Sequence, residues 1–486
     1  MSMDAAIKSV TSSDDFVHLD GLAQADLIKR GEVTSKDLVQ AAIRRIERIN
    51  PDINAIASHN FHLALQQSEA VSMDGPFAGV PTLIKDVLSY PGHANGFGSR
   101  LLDTIPGLTS SPYVEAIDAA GFITLGKSTT SEFGLLGTTE TLAKGATRNP
   151  WDLSRSTGGS SGGAVAAVAA GLVPVAHASD GGGSIRGPAS FCGLFGFKPS
   201  RGRTVSNGMP AELPMTAINS DHCASRSVRD SIAWLMATEE ETVPEKLQWD
   251  QLQKRKSARL RIGYYAIDEN GPNPSASALV ALSSTLRLCE KLGHELVEIQ
   301  PPQFERGEVA ETFFSLMGVV MALTFEQLKA GFGEHYNEDG FEPYTRALVA
   351  KGRELGPDYL AQAGLSLQEA SKSIEASRAA CDVILTPTTP YAAFPLGQYR
   401  PDGPVDALKA FVEEVACYTV IPSIAGWPAM SVPLYWNEGG LPLGSHFSAR
   451  QGQDDVLFSL ALQLEEAQPW QGKIFEMWER NAWYKD

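Results

Sequence analysis

Basic residues are few for the size of the chain: 40 Lys and Arg stand against 57 Asp and Glu in 486 residues, a formal net charge of -17. Binding a phosphate backbone needs a clustered positive surface, so the balance speaks against nucleic acid as a partner, and equally against a basic membrane-surface patch. Cysteine is scarce. Cys192, Cys223, Cys289, Cys381 and Cys417 are scattered, odd in number and without a CxxC pair. Neither a disulfide framework nor a zinc site is expected, so no metal is assigned. A reducing cytoplasm suits this pattern. Long apolar runs are missing; stretches such as Ala164 to Ala170 fall short of the roughly 18 residues of a membrane span. The opening MSMDAAIKSVTSSDDF lacks a basic start followed by an apolar stretch, so no signal peptide is expected. None of the nine histidines sits in a recognisable catalytic setting, and His177 reads as a packed core residue.

What is present is ordinary globular material, 43% apolar and 20% charged, enough for a large core. Thr34 and Ser35 can cap a helix over 36–49, with Leu38, Ala42, Ile43, Ile46 and Ile49 at helical spacing and Pro51 ending it. From about Gly75 to Val205, short apolar runs alternate with dense Gly, Ser and Thr. Residues 79–86, 120–126 and 173–178 read as strands, and Gly163 to Ala170 as a helix closed by Gly171. Residues 238–258 read as a charged surface excursion and 305–375 as mostly helical. Residues 382–388 and 430–434 read as further strands, and Asp454 to Ala467 as the last helix. Alternation of strands and helices predicts an α/β fold, a single large domain with a central mixed β-sheet covered by helices on both faces. Within that domain, 1–75 form a helical cover, 76–210 the catalytic core, and 211–486 the rest of the sheet with pocket helices and loops.

Two glycine-rich segments carry serines beside a helix: Gly158-Gly159-Ser160-Ser161-Gly162-Gly163 and Asp180-Gly181-Gly182-Gly183-Ser184-Ile185-Arg186. In the second, the N–H groups of Gly181, Gly182, Gly183 and Ser184 can form a donor nest for a developing oxyanion, with Ser184 placed to attack the carbonyl. Taken alone, it reads rather as a tight turn with a capping serine. The first matches G-x-S-x-G formally, but the residues before it read as loop, and Ser160 and Ser161 read as helix caps. Lys85 follows Leu83-Ile84; a lone lysine there is ordinarily a solvated charge. Were its ammonium buried, desolvation would lower its pKa toward neutrality, at a cost on the order of 4 kcal/mol, and it could act as a base.

Taken together, the segments from Gly79 to Arg203 resemble the amidase signature family. The matching pieces are Gly79-Val80-Pro81 with Lys85-Asp86, Gly126-Lys127, Glu132-Phe133-Gly134, Thr147 to Trp151, Gly158 to Gly163, Asp180 to Arg186, Phe191-Cys192-Gly193 and Gly196 to Pro199. The resemblance resurfaces at Asp382 to Pro387, Gly426 to Ala429, Ser431 to Pro433 and Gly440 to Gly444. It implies a Ser–cis-Ser–Lys triad: Lys85 as base, Ser160 as relay after a cis peptide, Ser184 as nucleophile forming an acyl-enzyme. Ser161 would support Ser160, and Asp180 and Arg186 would hold the loop. No cofactor is implied. Ser179 and Gly181 depart from the family, which often has threonine or a similar residue there.

The form Ala178 to Ser184 and the tail from Gly444 resemble the branch of 6-aminohexanoate cyclic-dimer hydrolases, itself similar to aryl amide and carbamate hydrolases. The implied partner is a small, fairly apolar amide, with Leu135, Leu136 and Gly137 and parts of 313–345 and 394–420 as pocket candidates. One alternative is the glutamine-hydrolysing subunit of a tRNA-dependent amidotransferase; another is an inactive binding protein on the same scaffold. A monomer or a homodimer is expected.

Overall fold

The computed structural model describes residues 15–267 and 271–484. The chain opens with helices that cover the core. The helix Ser35–Ile53 starts on a capping box in which Thr34 Oγ1 accepts from the Asp37 N–H at 3.2 Å. It runs through Pro51, which removes one hydrogen bond in the last turn, and stops at Asn54 with φ 51°. Proline therefore does not end it, contrary to expectation.

Two sheets follow. β1 (Ile56–His59), β2 (Pro81–Lys85) and β3 (Ile123–Ser128) form a three-stranded sheet in the order β1-β3-β2, with β2 parallel to β3. β4 (Glu140–Thr141) pairs with β5 (Gly145–Ala146), and β6 (Arg148–Asn149) with β7 (Asp152–Ser156), as short ribbons. The large sheet uses β8 (Val175–Asp180), β9 (Phe195–Lys198), β10 (Ser220–Ser225), β11 (Arg261–Tyr264), β12 (Glu295–Glu298), β13 (Val383–Pro387), β14 (Ala429–Trp436) and β15 (Pro442–Ala449). Its order is β12-β11-β13-β15-β14-β9-β10-β8. The β12-β11-β13 pairs are parallel and the rest antiparallel, so the sheet is mixed, as predicted. The two sheets meet where β2 lies beside β8, with Thr82 Oγ1 donating to the Val175 carbonyl at 2.9 Å.

The helix Gly162–Ala169 is buried along its whole length, which explains its Gly, Ala and Val composition: only small side chains let its backbone approach the strands. Gly171 follows at φ 77°, closing it as expected. The helix Arg306–Phe332 is long and apolar enough to cross a membrane by length and composition, yet Leu316, Val319 and Phe325 pack inside the protein.

Three expectations need correction. Residues 238–258 are not only a surface excursion: Glu239 is buried and accepts from Arg203 Nε at 2.8 Å, and the helix Trp249–Arg255 packs Leu252 into the core. Asp454–Ala467 forms a helix, but it is not the last; Gln471–Arg480 follows and buries Ile474, Met477 and Trp478. Neither Ser160 nor Ser161 caps the helix that begins at Gly162, because both hydroxyls have other partners, described next.

Candidate active site

β2 is buried throughout and delivers Lys85 from its last position, with no solvent exposure. Lys85 Nζ donates to Ser160 Oγ at 2.7 Å and to Ser179 Oγ at 2.9 Å. Burial pushes the Lys85 pKa down from 10.5 to about 7, against the opposing pull of Asp221 and then Asp180. A lysine poised there can hold or release a proton near neutral pH.

Ser160 follows a cis peptide bond at Gly159-Ser160 and is itself buried. A Cβ on Gly159 would stand 2.6 Å from the Leu136 carbonyl oxygen and the Thr138 nitrogen, so only glycine fits this close approach of two backbones. Ser161 Oγ donates to the Ser179 carbonyl at 3.1 Å, and the Ser161 N–H reaches the Ser184 carbonyl at 3.3 Å. These bonds tie the two glycine-rich segments together.

Ser184 stands half-buried in the bend between β8 and the helix Arg186–Cys192. Its hydroxyl forms no hydrogen bond with the described residues and lines a cavity of about 1130 Å³. Asp180 organises the bend. Its Oδ1 accepts from the Gly183 N–H at 2.7 Å and from Arg186 Nη2 at 2.8 Å; its Oδ2 accepts from the Ile185 N–H at 3.1 Å and from Arg186 Nε at 2.9 Å. Burial by itself would raise the Asp180 pKa, but Arg186 outweighs it and holds the carboxyl at about 2. Gly183 therefore corrects one expectation: its N–H is committed to Asp180 and cannot serve an oxyanion. The N–H groups of Gly181, Gly182 and Ser184 have no partner among the described residues.

Leu135, Leu136 and Gly137 all line the cavity, with Phe313, Phe314 and Met317 from the long helix and Thr419 beyond it. Ser179, Asp221, Asn207 and Asn219 line it too and were not singled out as site residues from the sequence. Asp221 carries no local motif; only the antiparallel pairing of β10 with β8, which sets it opposite Ser179, brings it to the site. Among the described residues no group of three or more His, Cys, Asp or Glu side chains is arranged to hold a metal ion.

The amidase family model matches residues 37–458. Over 482 residues the chain is 32% identical to the 6-aminohexanoate-cyclic-dimer hydrolase of Pseudomonas sp. strain NK87, covering 93% of this chain and 95% of that one. A solved structure of 6-aminohexanoate cyclic dimer hydrolase complexed with substrate superposes with a TM-score of 0.86 at 30% identity, over 95% of this chain and 99% of the other. A bacterial aryl acylamidase of the amidase signature family shares the fold, with a TM-score of 0.83 at 23% identity over 95% of this chain and 99% of the other. The lysine and serines gathered around the cavity thus sit in a chain that belongs to the amidase signature family, whose members hydrolyse amide C–N bonds.

Proposed function

We propose that the protein hydrolyses small, fairly apolar amides through an acyl-enzyme on Ser184, with Lys85 as base and Ser160 as relay. The observation that carries this reading is the 2.7 Å bond from a fully buried Lys85 to Ser160, at the wall of the cavity that Ser184 also lines. Neutral Lys85 accepts the Ser160 proton as Ser160 accepts that of Ser184, and Ser184 Oγ bonds to the amide carbon. Substrate binding brings the Ser184 hydroxyl into line with Ser160, since apo geometries of this kind tighten on binding. The oxyanion takes N–H donors from Gly181, Gly182 and Ser184. Ser160 then protonates the departing amine, the C–N bond breaks, and water attacks the ester by the reverse proton route. Ser179 holds the lysine amine in place through its 2.9 Å bond.

The substrate class follows from the lining. Phe313, Phe314, Met317, Leu135 and Leu136 favour an apolar acyl or amine portion, and the volume of about 1130 Å³ accommodates more than a simple primary amide. Cyclic or linear amide oligomers, aryl amides and carbamates fit this description, the first in keeping with the hydrolase relatives. Hydrolysis of a 4-nitroanilide, an aryl carbamate, 6-aminohexanoate cyclic dimer and glutamine is compared between wild type and Ser184→Ala. Cleavage of apolar members, lost by about 10³-fold or more in the variant, is expected. Cleavage of glutamine alone would replace this reading with the amidotransferase one, and a fully active variant would refute Ser184 as nucleophile.

A further inference from the structure

We infer that Asp221, acting through His177, is a positioning residue for Lys85: the pair tethers the lysine backbone and stations a fixed negative charge behind its amine. This rests on Lys85 being the general base. The Lys85 backbone N–H, at the end of β2, donates to His177 Nδ1 on β8 at 3.2 Å. An imidazole nitrogen that accepts carries no proton, so the neutral ring is protonated at Nε2. His177 Nε2 then donates to Asp221 Oδ1 at 3.0 Å. Asp221 Oδ2 accepts from Asn207 Nδ2 at 2.6 Å and from Asn219 Nδ2 at 3.4 Å. Three donors thus converge on the Asp221 carboxylate and fix its position. No ladder pairing joins β2 to β8, so the His177 bond takes over part of that role at the catalytic end of the strand.

The charged and titratable groups around this centre are few. Lys85 faces Asp180 and His177 on β8 and Asp221 on β10. His177 is also near Lys127 on β3, Tyr113 from the helix Pro112–Ala119 and His222 on β10. Burial keeps His177 and His222 neutral, and Asp180 is committed to Arg186. Lys127 Nζ turns to the Leu88 carbonyl. Asp221 has no lysine or arginine in ion-pair contact among the described residues, so its charge is left to act on the Lys85 amine.

The test is the rate at which a fluorophosphonate labels Ser184, measured from pH 5 to 9; it needs no knowledge of the substrate. Asp221→Asn removes the charge, makes Lys85 harder to protonate, and is expected to move the acid limb down by about one pH unit. Asp221→Glu keeps the charge and should leave the limb near its wild-type position. If Asp221→Asn does not fold, Asp221→Ser carries the same expectation, with space for water between the two asparagines. A limb that stays in place while labelling slows equally at every pH would reduce Asp221 to a structural role and overturn the inference. Lys85→Met in the same assay separates the two claims: labelling at the wild-type rate would refute Lys85 as base, whereas lost labelling with an unmoved Asp221→Asn limb would refute only the role of Asp221.

Discussion

Replacing Lys85 with methionine should abolish turnover and yet stabilise the fold below about pH 9. Burial depresses the Lys85 pKa from 10.5 to about 7. That depression of 3.5 units (10.5 less 7) corresponds to about 5 kcal/mol, at roughly 1.4 kcal/mol per unit. Between pH 7 and 10.5 the unfolded chain binds a proton at this amine and the folded chain does not, so stability rises with pH across that window. Below pH 7 both states are protonated and the whole cost stands; above 10.5 both are neutral and it is gone. Methionine carries no such cost, but the variant forfeits the bonds of 2.7 and 2.9 Å to Ser160 and Ser179, about 1 kcal/mol each. The net is a gain of about 3 kcal/mol at pH 6, shrinking through zero near about pH 9 and becoming a loss of about 1 kcal/mol at pH 10. Urea unfolding of both proteins at pH 6, 8 and 10, followed by circular dichroism, measures it. A difference that is the same at all three pH values would refute the claim that a buried, charge-averse lysine is held there.

The same pKa near 7 predicts that kcat/KM falls about tenfold per unit below about pH 7 as Lys85 takes up its proton; a flat profile from pH 5 to 9 would contradict a lysine base. Gly183 sits at φ 138° with a Cβ position 2.2 Å from Thr419 Oγ1, so Gly183→Ala should lower the urea midpoint sharply, by about 2 kcal/mol or more in stability. A Cβ on Gly181 meets nothing nearer than Asn219 Oδ1 at 3.7 Å, so Gly181→Ala should unfold like wild type. Glu342 is buried, then further raised by Glu132 nearby, to a pKa of about 8. The unfolded carboxyl ionises first as pH rises from 4.5, so folding stability is lost between there and about 8. Glu342→Gln keeps an oxygen to accept the Leu142 N–H, now at 2.8 Å, and should raise the urea midpoint at pH 8 but not at pH 4.

The sequence by itself determined the fold class and the two glycine-rich segments, because both are local in the chain. Strand-length apolar runs separated by helical ones leave a covered mixed sheet as the way to bury them. Glycines at 159 and 163 mark places where backbones touch, Gly162 packs against the side chains of Thr139 and Thr157, and a Cβ at each would clash. The late helix Gln471–Arg480 was missed although Ile474, Met477 and Trp478 already stand at helical spacing. What only the tertiary structure decided is whether each polar group is buried and with whom. Nothing in Leu83-Ile84-Lys85 says that the amine has no solvent and two hydroxyl partners; that depends on β2 lying beside β8 and on residues 160 and 179 arriving from elsewhere in the chain. Gly183 looks like its neighbours as a string of letters, but the turn spends its N–H on Asp180. Asp221 is silent until β10 pairs with β8. Desolvation and hydrogen bonding set the chemistry of these groups, and both are properties of a site assembled from residues far apart in the chain.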